Sequence, residues 1–169
     1  KNLHKGLDLS ILFLNKISLM RPDLFFTYFI VGKHTAQTDS ILSLIDKNIN
    51  NLTICNYDYV SDKKLSELYS NSHFSLNFSK NEGFGLNIIE SIHNGVIPLM
   101  SSISAFHELT YGKYFYMDDI NDFINNFLNI FFRKELMIYN TEILNTTYKD
   151  NKSKYKTGLN NLVQLINEL

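Results

Sequence analysis

The chain holds one cysteine, two prolines and almost no net charge, and each scarcity removes a class of protein. A single thiol, Cys55, allows neither an internal disulfide framework nor a cysteine-based zinc cluster. It sits in an apolar run, so it is expected to be a small buried residue in a reducing cytoplasm. Lys and Arg number 16 against 17 Asp and Glu, a formal charge of −1, which excludes the broad basic footprint of a nucleic-acid or polybasic membrane surface. Any anion must be held locally by a few groups. The apolar run Leu24–Val31 falls far short of the ~18 residues of a membrane span. No stretch reads as a flexible linker and no internal repeat is visible, so 169 residues read as one domain, long enough to bury a core.

What is present alternates. Lys5-Gly6 opens an amphipathic helix with Leu7, Ile11, Leu14 and Ile17 at helical spacing, closed by Arg21-Pro22. Leu24–Val31 suits a strand covered on both faces and ends at Gly32. A helix over about Thr38–Lys47, a strand Leu52–Cys55, a capped helix from Val60-Ser61-Asp62 to about Asn71, and a strand His73–Phe78 follow. A glycine loop then leads into a helix, with further strands at Val96–Met100 and Tyr114–Tyr116 and a helical pattern from Ile120 onward. Strands alternating with helices predict an α/β fold, a Rossmann-like doubly wound parallel sheet with helices on both faces.

The stretch SKNEGFGLNIIESIHNG, Ser79–Gly95, is poor core material at a strand-to-helix junction. Ligands of doubly wound sheets bind at the carboxyl ends of strands, against the first turn of the next helix. Gly83 and Gly85 allow close backbone approach, and the amides near Gly85 and Leu86 would be unpaired at the positive end of the helix dipole. That suits phosphate. Glu82 would be repelled by phosphate and should meet neutral hydroxyls, while Glu90, on an otherwise apolar stretch, needs a partner such as vicinal ribose hydroxyls. A ligand with ribose, phosphates and a sugar answers every odd residue: a nucleotide sugar.

Glu82-Gly-Phe-Gly-Leu-x-x-x-Glu90, then Gly95-x-x-Pro98 and a strand, resembles the E-x7-E region of retaining GT-B glycosyltransferases of family 4 and its relatives (glycosyl transferases group 1). Lys5-Gly6, Phe29–Gly32, Val60–Leu65 and Leu68-Tyr69 resemble weaker patterns of the same family along most of the chain. The resemblance implies the C-terminal, donor-binding half of a GT-B fold, in which Glu82 and Lys5 carry the chemistry. Lys5 would bind the diphosphate, Glu82 would face the donor sugar, and the amides of Gly83, Phe84, Gly85 and Leu86 would hold sugar and phosphate. Glu90 would hold the ribose, Gly32 would lie against the donor, and backbone near Tyr59 and Val60 would meet the base. It implies a UDP- or GDP-type sugar nucleotide as donor, no cofactor and no metal, since lysine and the helix terminus stabilise the departing phosphate. It implies an acceptor glycan, lipid or protein held by an N-terminal domain outside this sequence, and a first strand, ending in an arginine, upstream of Lys5. Surface polysaccharide synthesis in a bacterium, in the cytoplasm at the inner face of the membrane, fits the family's habits and the Asn-, Lys- and Ile-rich composition. Asp58 stands where the family tends to have glycine, and Asn87 where proline is common.

Blander readings stand beside these. Glu82 could be a solvated loop carboxylate, Glu90 half of a surface ion pair with a lysine, and Lys5 an exposed lysine near the terminus. His73, His93 and His107 lack metal spacing and read as structural, with His107-Glu108 in a supporting place after a strand; the aromatic-rich 123–132 stretch reads as core or as a face covered by another domain. A glycosidase pair is excluded because its carboxylates must flank the scissile bond, whereas Glu82 and Glu90 belong to one loop–helix unit. The alternative in another class is a non-catalytic scaffold or acceptor-binding partner of an active subunit; a GT-B epimerase would not carry this glutamate spacing.

Overall fold

Every strand pairing among the described residues is parallel, so strands that pair in sequence are joined by crossovers. The computed structural model describes residues 5–110 and 115–131. In chain order these form α1 (Leu7–Met20), β1 (Phe26–Val31), α2 (Ala36–Leu42), β2 (Leu52–Tyr57), α3 (Asp62–Ser70), β3 (Phe74–Asn77), α4 (Leu86–His93), β4 (Ile97–Ser101), α5 (Ser104–Thr110), β5 (Phe115–Met117) and α6 (Ile120–Phe131). β1 pairs with β2, and separately β3 pairs with β4 and β4 with β5, all parallel. The fold is α/β with a parallel strand arrangement, as its alternating pattern predicts.

Helices cover both faces. Alternate β4 side chains explain how: Ile97 and Leu99 join the larger core with Ile11, Phe13, Leu14 and Ile17 of α1, Ile41 of α2 and Phe123, Ile124 and Phe127 of α6, whereas Met100 joins Ile88 and Ile92 of α4 and Phe106 of α5. Phe13 is the hub of the first layer, with its ring 5.7 Å from Phe78, 5.8 Å from Phe123 and 5.3 Å from Phe127. A buried phenylalanine contributes about 1.5–3 kcal/mol by area, and edge-on ring pairs add to it. The same helix reaches β1, where Ser10 meets the Tyr28 hydroxyl and burial pushes that phenol up.

The polar residues that begin and join these elements are specific. Thr35 and Thr38 form a reciprocal capping box at α2, and the Ser61 hydroxyl accepts from the Lys64 amide at 3.3 Å to start α3. The buried Asn51 amide donates to the carbonyls of Ser18, Arg21 and Leu24, at 3.2, 3.0 and 2.7 Å, tying the end of α1 to the start of β1 and β2.

Several expectations are corrected. The strand covered on both faces is β4, buried at every position, not β1, where Thr27 and Val31 are exposed. β1 begins only at Phe26, leaving Phe25 at 86% exposure, because Asn51 holds the Leu24 carbonyl in the preceding turn. Cys55 is half-buried rather than buried, since β2 has a ladder partner on one side only among the described residues. α2 is also shorter than its pattern, ending at Leu42, and the later part of the helical pattern from Ile120 lies outside the described residues. No described helix is long and apolar enough to cross a membrane.

Candidate functional site

Parallel strands put the carboxyl ends of each ladder on one edge, and the residues singled out by sequence follow those ends. Gly32 follows β1, Tyr59 and Val60 follow β2, and the loop 78–85 follows β3 into α4. Gly6 lies against the same end of β3: a Cβ at this position would stand 1.9 Å from the Phe78 carbonyl oxygen. With φ at +71° as well, no other residue fits there. The tight approach delivers Lys5 to the loop.

Lys5 and Glu82, 77 residues apart, form an ion pair through Nζ and Oε1. The lysine side chain is 64% exposed while the glutamate is only 11% exposed, so the carboxylate is set into the loop and the ammonium closes over it from solvent. Ser79, itself buried, donates its hydroxyl to the same Oε1 at 3.2 Å. The Ser101 hydroxyl at the end of β4 donates to the Ser79 carbonyl, which fixes the serine in turn. A second ion pair, Lys80 to Asp8 at 3.7 Å, also joins the loop to the first turn of α1.

Gly85 caps α4 in the left-handed region, φ +80°, and a Cβ there would stand 2.9 Å from the Phe106 ring. No side chain caps this helix end. Its first turn therefore offers amides to a ligand at the positive end of the dipole. Gly83 has open space around its Cβ position, and Phe84 and Leu86 are exposed, at 60% and 64%. Asn87, in the position where proline was noted as common, donates its side-chain amide to Asn77 Oδ1 and anchors α4 to the end of β3.

Glu90 lies one turn further along α4 and is exposed, so the desolvation argument for its needing a partner does not apply. It has one nevertheless. The Tyr69 hydroxyl on α3 donates to Oε2 at 3.3 Å, in place of the lysine of the bland reading. Sequence reasoning quoted Tyr69 in a weak family pattern and Ser79 at the head of the glycine loop but gave neither a role, and it did not single out Ser101.

At the other strand ends, Gly32 is exposed with φ +144° and Tyr59 is 89% exposed. Asp58 accepts from the His34 amide at 2.7 Å and so locks the loops after β1 and β2 together. His34 Nε2 pairs with Asp39 at 2.6 Å. His107 Nε2 hydrogen-bonds with the Ser102 hydroxyl at 2.8 Å at the start of α5. Among the described residues no cluster of His, Cys, Asp or Glu could hold a metal ion.

The model of the family described as glycosyl transferases group 1 matches residues 2–111. Among solved structures, the apo structure of OtsA superposes with a TM-score of 0.64 at 14% identity, over 98% of this chain and 40% of that one. A trehalose-6-phosphate synthase, solved in work on glycosyl transfer with retention through bisubstrate glycomimetics, superposes with a TM-score of 0.55 at 12% identity, over 95% and 39%. The chain thus spans about 40% of the length of these structures. No curated protein matches it.

Proposed function

The chain belongs to the glycosyl transferases group 1 family, and from that premise we propose that it is the donor-binding domain of a retaining, metal-independent glycosyltransferase. The observation that carries the reading is the meeting of Lys5 and Glu82 beside the uncapped first turn of α4. A cation, a carboxylate and free amides that meet at one loop suit a molecule that joins phosphate to sugar.

In this reading a UDP- or GDP-type sugar nucleotide lies along the carboxyl edge of the strands. Lys5 holds the diphosphate with the amides of Gly83, Phe84, Gly85 and Leu86, and Glu82 accepts from sugar hydroxyls. Glu90 accepts from the ribose, while Gly32 and the backbone near Tyr59 and Val60 flank the nucleoside. When the bond from the sugar's anomeric carbon to phosphate oxygen breaks, Lys5 and the dipole of α4 stabilise the charge left on the diphosphate. The acceptor oxygen bonds to the anomeric carbon on the same face and its proton passes to the departing phosphate, so configuration is retained and no metal is needed. Residues 1–169 are then one domain of a longer enzyme, whose N-terminal domain holds a glycan, lipid or protein acceptor. Synthesis of surface polysaccharide in a bacterium, in the cytoplasm at the membrane's inner face, is the setting we assign to it.

Calorimetric titration with UDP, GDP and their sugars, without metal, tests this. Binding that weakens about tenfold or more in Lys5→Ala and Glu90→Ala, roughly 1.4 kcal/mol each, supports the donor site. A folded sample that binds none of these ligands, alone or within the longer enzyme, overturns it and leaves a non-catalytic scaffold.

A further inference from the structure

Glu90 sits on an exposed helical face, where a glutamate side chain ordinarily samples many rotamers. Here it does not stand alone. Tyr69 projects from the last turn of α3 and donates its hydroxyl to Oε2 at 3.3 Å. The two helices are also joined a turn away, where the Ser66 hydroxyl donates to Asn94 Oδ1 at 3.3 Å, and the Asn94 amide returns to the Glu90 carbonyl at 2.8 Å. The tyrosine ring is half-buried and the α4 residue beside it, Ser91, is fully buried with its hydroxyl donated to the Asn87 carbonyl at 2.6 Å. The Tyr69 hydroxyl thus stands between the Ser91 hydroxyl and Glu90.

A phenol has one proton to give. With that proton on Oε2, one oxygen of the carboxylate is tied to α3 and Oε1 is left for a ligand. We infer that Tyr69 is a positioning residue for ribose recognition, fixing Glu90 so that Oε1 faces the vicinal hydroxyls of a nucleoside diphosphate. The inference rests on the donor-site reading above and adds to it the residue that makes an exposed carboxylate selective. Burial, opposed by the nearby Ser91 hydroxyl and reinforced by the Glu90 charge, pushes the Tyr69 phenol up to about 12. The donor therefore persists across the physiological range: a phenol raised in the folded state keeps its proton past its ordinary value near 10.

Tyr69→Phe removes the hydroxyl and keeps the ring. Affinities of the chain and this variant are measured for UDP, GDP and their 2′,3′-dideoxy forms, with Glu90→Gln and the double variant completing a cycle. The expected result is a fall of roughly fivefold in the preference for ribose over dideoxyribose, on the scale of one hydrogen bond to a charged group. No such fall is expected when Glu90→Gln is already present, and binding of the dideoxy forms should be unchanged. Equal loss for both sugars, accompanied by a lower melting temperature, would show a merely structural tyrosine and overturn the inference. So would an unchanged preference. If the unaltered chain binds the ribose and dideoxy forms equally, Glu90 is not the ribose ligand and the inference fails while nucleotide binding stands; if it binds neither, the donor-site reading itself fails.

Discussion

Lys5 and Glu82 are each other's partner in the free chain, yet the proposed donor would claim both, the lysine for phosphate and the glutamate for sugar. A pair with its lysine mostly in solvent is worth at most about 1 kcal/mol, so it is a placeholder that a ligand can displace. Opposite effects on two ligands follow from one substitution. Glu82→Gln releases Lys5 from its ion pair, and a nucleoside diphosphate lacking the sugar should bind about two- to fivefold more tightly, within that limit. The corresponding sugar nucleotide should lose that gain, because an amide is a poorer acceptor for its hydroxyls than a carboxylate. Titrating both ligands into the same variant checks this, and parallel losses would show that Glu82 supports the loop rather than the sugar.

At the scale of elements, the loop 79–85 was legible because glycine and glutamate there contradict a core environment, and the structure shows why each glycine differs. Gly6 is required by contact with the Phe78 carbonyl and Gly85 by the Phe106 ring, whereas Gly83 faces open space. The joints between elements were not legible. Asn51 has no periodicity to betray it, yet its one side chain serves three carbonyls between α1 and β1. Tyr69 and Ser79 likewise matter through partners 21 and 3 residues away, of which the first cannot be inferred from spacing within one helix. Asn51→Ala should therefore cost about 2 kcal/mol, the scale of leaving buried carbonyls unpaired. Asn51→Asp should cost more, because a carboxylate would face the same three oxygens with no proton to donate. Urea unfolding of the two variants measures both; a cost below about 0.5 kcal/mol for alanine would mean that the joint is redundant.

At the scale of the whole molecule, two parallel ladders lie under one helix. α1 touches β1 through Ser10 and Tyr28 and reaches the end of β3 through Phe13 and Phe78, but no ladder among the described residues joins β1 to β3. A helix is about 10 Å wide with its side chains, and strands are spaced about 4.8 Å apart, so one helix covers two inter-strand steps. This geometry leaves one edge of β1 and one edge of β3 without a ladder partner among the described residues. The backbone makes the idea testable residue by residue. The Phe26 and Gly32 amides bond toward β2, so by alternation the amides of Thr27, Phe29 and Val31 point the other way; the His73 carbonyl bonds to β4, so the Leu76 amide points away from β4. In this chain the amides of Thr27, Phe29 and Leu76 should exchange hydrogen faster than those of Tyr28, Ile30 and Ser75 in the same strands. A strand laid against those edges would abolish the difference. Uniform protection within each strand would mean that β1 and β3 already have partners on both sides, and the two ladders would need another explanation.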